Sequence, residues 1–388
     1  MRTEGSEIRA DYLAFGRPSF SDEEIAAVAR VLRSGWVGMG PEVIQFEAEL
    51  AAYLGAPHVV TVNSCTSALF LSLLASGVGA GDDVLCPSLT WCSTANVAVH
   101  LGARPVFCDV DPESLCITAE TVRARLTPRT RAVVVVHFGG RAADVDSIRR
   151  ALPPQVALVE DAAHALGAAY PNGNRVGSSG NLTCFSFYAN KNLSTGDGGA
   201  IALRDPTLAD RLRTLRQSGL PADAWKRFSH ARSMLYTELT EVGYKMNYTD
   251  LQASLGRVQL RRQPEFESRR SQIADVYGER LPSLLPGVRF QKGVRSPEHA
   301  RHLFLILLPL ESMSLTRDEL LVGLRHRNIG ATIHYAPLHR MPLYRERGTD
   351  RLPVTESVAE RILSLPLSAS MTLADAEYVL LHLQELAS

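Results

Sequence analysis

Lysine is what this chain has least of among charged residues. Only Lys191, Lys226, Lys245 and Lys292 occur in 388 residues, against 37 arginines. A chain that writes its positive charge as arginine keeps lysine where arginine cannot serve. The usual reason is an amine whose pKa can fall far enough for it to attack carbonyls. A surface lysine in a polar loop is the other reading of any one of the four. Further scarcities exclude whole classes. Formal net charge is zero and no basic block occurs, which argues against a nucleic-acid or membrane-surface partner. No apolar run approaches the length of a membrane span, and the longest, Leu303 to Leu310, reads as a buried strand. Met1 to Gly16 lacks the apolar segment of a signal peptide, so a cytoplasmic location is expected. The six cysteines are Cys65, Cys86, Cys92, Cys108, Cys116 and Cys184, with no Cys-x-x-Cys pair. They read as buried free thiols, and neither a metal site nor an iron–sulfur cluster is expected.

What is present is a large apolar fraction, 45%, in a chain long enough for two domains. Ser21-Asp-Glu-Glu24 is a capping box that opens a helix to about Arg33, with Gly35 suited to a left-handed exit. Pro41 can start a second helix that ends near Gly55. Strand-like runs then recur at 59–62, 84–86, 105–108, 132–136, 156–159 and 182–187, separated by helical stretches such as 66–76 and 145–152. Strands alternating with helices predict an α/β fold with a mostly parallel sheet covered on both faces. A long helical pattern from about Thr249 to Leu281 leaves this region. The remainder mixes a strand at 303–308, a helix at 317–327, the stretch 330–335 and a final helix from about Leu373. The expected division is a large unit, residues 1–262, and a smaller C-terminal α/β unit, residues 263–388.

In an open parallel sheet, ligands collect beyond the carboxyl ends of the strands. Four features fall at such places. Asn63-Ser-Cys-Thr-Ser67 follows a strand and opens a helix, so it is either an ordinary cap or a phosphate cradle. Trp91, amid small hydroxyl residues after another strand, is either core or a platform for a planar ring. Asp161 ends a strand three residues before His164, and can cap a helix or hold a proton on a ring nitrogen. Lys191 follows Ser186 and precedes the flexible Gly196-Asp-Gly-Gly199. Jointly they supply a phosphate cradle, a stacking ring, a carboxylate and a lone amine, the set that pyridoxal 5′-phosphate requires.

The chain also resembles the DegT/StrS class of pyridoxal-phosphate sugar aminotransferases, of fold type I. The stretches that carry the resemblance are Gly16-Arg-Pro18, 34–41, 64–69, 87–96, 160–167, 186–199, Gly243-Tyr-Lys-Met-Asn-Tyr-Thr-Asp250 and 329–335. They run in order over nearly the whole chain. The resemblance implies that Lys191 forms the Schiff base and Asp161 pairs with the pyridine nitrogen. It implies that His164 meets the phenolic oxygen side, Trp91 stacks on the ring, and Thr66, Ser67 and Ser186 hold the phosphate. Asn247 would reach the phosphate in the neighbouring subunit, implying a homodimer with sites at its interface. Tyr188, Lys245, His334 and Tyr335 align with positions near the sugar nucleotide. Two departures stand out. Cys65 replaces the usual Gly or Ala of the phosphate loop, and Asp197 replaces the usual Glu of a Gly-Glu-Gly-Gly turn.

Lysine at 191, where related dehydratases carry histidine, points to amino transfer by way of pyridoxamine phosphate. The expected substrates are L-glutamate and a dTDP-4-keto-6-deoxyhexose, the carbon being suggested by the 243–250 stretch. A 3-keto-sugar or keto-cyclitol aminotransferase is the alternative, and a non-catalytic regulatory relative is the remote one.

Overall fold

The computed structural model describes residues 7–220, 239, 241–345 and 351–387, so Lys226 lies outside the described residues. Helix α1 (Asp22–Ser34) begins at the reciprocal Ser21–Glu24 capping box and ends at Gly35, whose φ is 74°. Helix α2 (Pro41–Leu54) follows, with Pro41 in its first turn. The strands are β1 (His58–Val62), β2 (Asp83–Pro87), β3 (Arg104–Cys108), β4 (Thr130–Val136), β5 (Ala157–Asp161), β6 (Leu182–Ser186) and β7 (Gly199–Leu203). Their order across the sheet is β1-β7-β6-β5-β4-β2-β3. Strands β2 to β6 pair in parallel, whereas β7 runs antiparallel to both β1 and β6.

Alternate residues of each strand point to opposite faces, and the sequence fills both with apolar side chains. Val133 and Val135 join the core that holds Phe46 and Leu50 of α2. Ala132 and Val134 join the core under α3 (Cys65–Ala75), α4 (Ser93–His100) and α7 (Pro206–Arg216). Between the last two lie α5 (Ala119–Arg123) and α6 (Val145–Ala151). The strand β7 has no counterpart among the expected elements. Its opening Gly-Gly reads as a flexible turn, and it is the strand on which the sheet's reversal rests.

The expected long helix over 249–281 is two helices, Asp250–Arg261 and Gln263–Leu284. Pro264 has no N–H to continue the hydrogen-bond ladder, so the first helix stops and a second starts with proline in its first turn. Beyond it, β8 (Arg289–Phe290), β9 (Phe304–Leu307) and β10 (Ile362–Leu365) make a three-stranded antiparallel sheet in the order β10-β9-β8. The helices Arg317–His326 and Leu373–Ala387 cover it and share its apolar core. Leu13 from the N-terminal segment packs in that same core, its N–H donating to the Asn328 carbonyl at 2.8 Å. The stretch 330–335 forms no strand and contributes an isolated bridge, Thr332 to Ser364. All six cysteines are free; Cys65 and Cys92 are half-buried and the other four buried. No helix among the described residues is long and apolar enough to cross a membrane.

Candidate active site

Because β7 reverses, the carboxyl ends of β1, β6, β5, β4 and β2 emerge on one edge of the sheet, together with the amino end of β7. A cleft of about 490 Å³ lies there, within the range of small-molecule sites. It is lined by Thr66, Trp91, Asp161, His164, Ser186, Tyr188, Lys191, His334 and Tyr335. Nine of the expected residues thus converge from five loops. Ser67 does not line it. Its hydroxyl donates to Asn63 Oδ1 at 2.6 Å and its N–H to the Ser64 cap at 3.1 Å, so it shapes the turn from within. Lys245 and Asn247 also stand elsewhere, on a separate groove with Gly35 to Met39 and Gln217.

The cleft floor is a buried carboxylate. Asp161 is 6% exposed, and Thr94 donates to its Oδ2 at 2.8 Å while the Ala163 N–H reaches Oδ1 at 3.2 Å. Burial raises its pKa, and the two hydrogen bonds and the charge of Lys191 pull the other way. Burial likewise lowers the Lys191 amine to about 8, with Cys65 and Asp161 opposing that fall. An amine so placed is a nucleophile and base near neutral pH. His164 is driven well below its ordinary value by burial and by Lys191, so it is neutral. Its Nδ1 has no hydrogen-bond partner among the described residues, and its Nε2 lies 3.5 Å from the Tyr335 hydroxyl.

One wall is Trp91, 60% exposed, with its ring 5.8 Å from that of Tyr335. The opposite end is the amino terminus of α3, where Ser64 caps the helix and Thr66 Oγ1 donates to Ser93 Oγ at 2.9 Å. The backbone N–H groups of such a terminus attract phosphate. Gly199 lets β7 close on this loop, since a Cβ there would sit 2.6 Å from Cys65 N and from Ser64 C. The Cys65 thiol lies 4.0 Å from Asp161 Oδ1, its pKa raised well above the ordinary value by burial. The residue that sequence reasoning passed over is Thr94. Its only signal was a hydroxyl three residues after Trp91.

The features fit pyridoxal phosphate by their own chemistry. A buried carboxylate needs a cationic ring nitrogen, a neutral histidine has an idle nitrogen, and the Lys191 amine has no carboxylate ion pair among the described residues. The model of the DegT/DnrJ/EryC1/StrS aminotransferase family matches residues 18–384. The chain belongs to this family. It is a pyridoxal-phosphate-dependent sugar aminotransferase with the fold-type I architecture. The spore coat polysaccharide biosynthesis protein SpsC of Bacillus subtilis is 42% identical over 380 residues, 96% of each chain. The PMP-form of Spr1654 from Streptococcus pneumoniae superposes with a TM-score of 0.87 at 28% identity, covering 96% of this chain and 98% of that one. DesI, solved in the presence of its TDP-sugar product, gives a TM-score of 0.87 at 29% identity over 98% of this chain and 94% of its own.

Proposed function

We propose that this aminotransferase moves the amino group of L-glutamate to C4 of a dTDP-linked 4-keto-6-deoxyhexose, giving a dTDP-4-amino-4,6-dideoxy sugar. Amino transfer rests on one observation above all, the Lys191 amine lowered to about 8 in the cleft that holds Asp161. The choice of C4 is supported by the Gly243–Asp250 stretch, which resembles relatives acting on 4-keto sugars, and the dTDP-linked substrate by DesI, solved in the presence of its TDP-sugar product.

When bound, pyridoxal phosphate supplies the electron-withdrawing ring that stores an electron pair while a proton moves. Lys191 would hold the cofactor, and its amine would take the donor's α-proton and later deliver one to the sugar carbon. Asp161, oriented by Thr94 and the Ala163 N–H, holds positive charge on the ring nitrogen. Neutral His164 would stand on the phenolic oxygen side, and Trp91 would stack on the ring and exclude water. Thr66, Ser186 and the α3 terminus hold the phosphate, with Ser67 bracing the turn. Tyr188, His334 and Tyr335 form the sugar side of the cleft.

Asn247 and Lys245 serve the partner's site in a homodimer, consistent with their standing outside this chain's own cleft. The helix break at Arg262 supports a division into 1–262 and 263–388, and a cytoplasmic location belongs to the same reading. The test is a panel of keto-sugar nucleotides with glutamate, scored by product structure. A 4-amino-4,6-dideoxy product is expected; a 3-amino sugar or an aminocyclitol would overturn the choice of carbon.

A further inference from the structure

Asn190 and Lys191 also line a second, far smaller chamber of about 20 Å³, together with Arg17, Arg270, His302 and Ser368. No Asp or Glu is among its described lining residues. Arg270 comes from the helix Gln263–Leu284 and is 3% exposed. Its Nε and Nη2 have no hydrogen-bond partner among the described residues. Glu267, one turn earlier, is engaged elsewhere: it accepts from the Tyr53 hydroxyl at 2.6 Å and pairs with Arg175 at 3.6 Å. His302 adds no charge, because burial and Lys191 hold it well below its ordinary pKa. Its Nδ1 lies 3.3 Å from Asn192 Oδ1.

A buried guanidinium with two unpartnered nitrogens is unfavourable even with Glu267 acting on it from a distance, and its planar fork matches a carboxylate. The chamber exceeds the roughly 10–15 Å³ that one water needs, yet it holds only one small group. Asn190 Oδ1 is unpartnered too, and turning that amide would present its NH₂ to the same anion. Asn190 and Lys191 line both this chamber and the main cleft, so the two cavities share a wall at the residue that receives the donor.

We propose that this chamber is a monoanion pocket in which Arg270 receives a carboxylate of the amino donor while the donor's amine lies at Lys191. The proposal rests on the aminotransferase reading above and names the feature that selects the donor. Its first test uses cofactor-free protein, with thermal unfolding in acetate or chloride against the bulky sulfonate MES at constant ionic strength. Acetate should raise the midpoint of the wild type and leave Arg270→Met unmoved. A response to chloride with none to acetate would assign the pocket to an inorganic ion and overturn the donor role.

The second test follows single-turnover spectra of the loaded enzyme, with glutamate or with the amino-sugar product. Arg270→Met should raise the half-saturating glutamate concentration roughly 10–100-fold, the effect of losing a charged hydrogen bond. Arg270→Lys should lie between, and conversion by the amino sugar, which has no carboxylate, should change less than about twofold. Equal losses with both substrates, or none, would sink the proposal. A loss confined to glutamate without any conversion by the amino sugar would support the pocket and sink the sugar reading instead. If Arg270→Met does not fold, acetate must still compete with glutamate in the wild type; failure to compete overturns the pocket.

Discussion

Lys191 owes its reactivity to burial, since the neighbours that act on it, Cys65 and Asp161, both favour the charged form. An amine-acylating reagent should therefore modify Lys191 in cofactor-free protein with a pH midpoint of about 8, followed by peptide mapping. Stability carries the same signature. Between pH 8 and the ordinary lysine range the folded protein binds fewer protons at this site than the unfolded chain does. Stability therefore rises with pH across that window. Denaturation midpoints of the wild type and Lys191→Met, measured against pH, should diverge there; parallel curves would show that the amine titrates normally. Replacing Lys191 by Ala should cost on the order of 10²–10⁴-fold in turnover and abolish borohydride fixation of the cofactor to this peptide. Thr94 acts through Asp161. Thr94→Val removes a hydrogen bond to a charged group, about 1.5–3 kcal/mol, and should weaken cofactor binding roughly 10–100-fold, read by equilibrium dialysis. The lone lysine, the carboxylate and the tryptophan were legible as residue types at strand ends. Thr94 was not, because a threonine near a strand end looks the same whether or not it meets a carboxylate 67 positions away.

Capping boxes and proline placement announce themselves locally, so α1 and α2 follow the pattern of their sequence closely. Two elements do not. The helix break at Arg262 is masked by an apolar period that continues across it, and only the missing N–H of Pro264 forces it. Strand β7 is written Gly-Ala-Ile-Ala-Leu, with little β propensity, and its pairing partners are β1 and β6. Its first residue faces the phosphate turn so closely that only glycine fits. Gly199→Ala should destabilise the fold by about 1–3 kcal/mol in chemical denaturation and impair cofactor retention. An unaltered midpoint would mean that the turn yields. Another tie joins the walls of the cleft. Ser88 Oγ lies 2.7 Å from His339 Nδ1, and His339 Nε2 lies 3.0 Å from Glu356 Oε1. This links the loop that carries Trp91 to the stretch that carries Tyr335.

For the molecule as a whole, the proposed dimer makes a prediction that no single subunit can satisfy. Lys191→Ala and Asn247→Ala proteins, each impaired alone, should regain activity when unfolded and refolded together. Each mixed dimer then contains one site with neither lesion. No recovery, with mixed dimers verified by mass, would place Asn247 outside the partner's site. The sequence by itself determined the α/β class, the helix caps, the run of apolar strands and the residue types of the catalytic set. Those follow from propensities and periodicities that act over a few residues. Only the tertiary structure decided that β7 reverses between β1 and β6, that Ser67 braces the turn from within, and that Thr94 meets Asp161. It alone left two nitrogens of the buried Arg270 with no hydrogen-bond partner among the described residues. Those contacts join residues far apart in the chain, and their energies come from burial and hydrogen-bond pairing, which exist only once the chain has closed on itself.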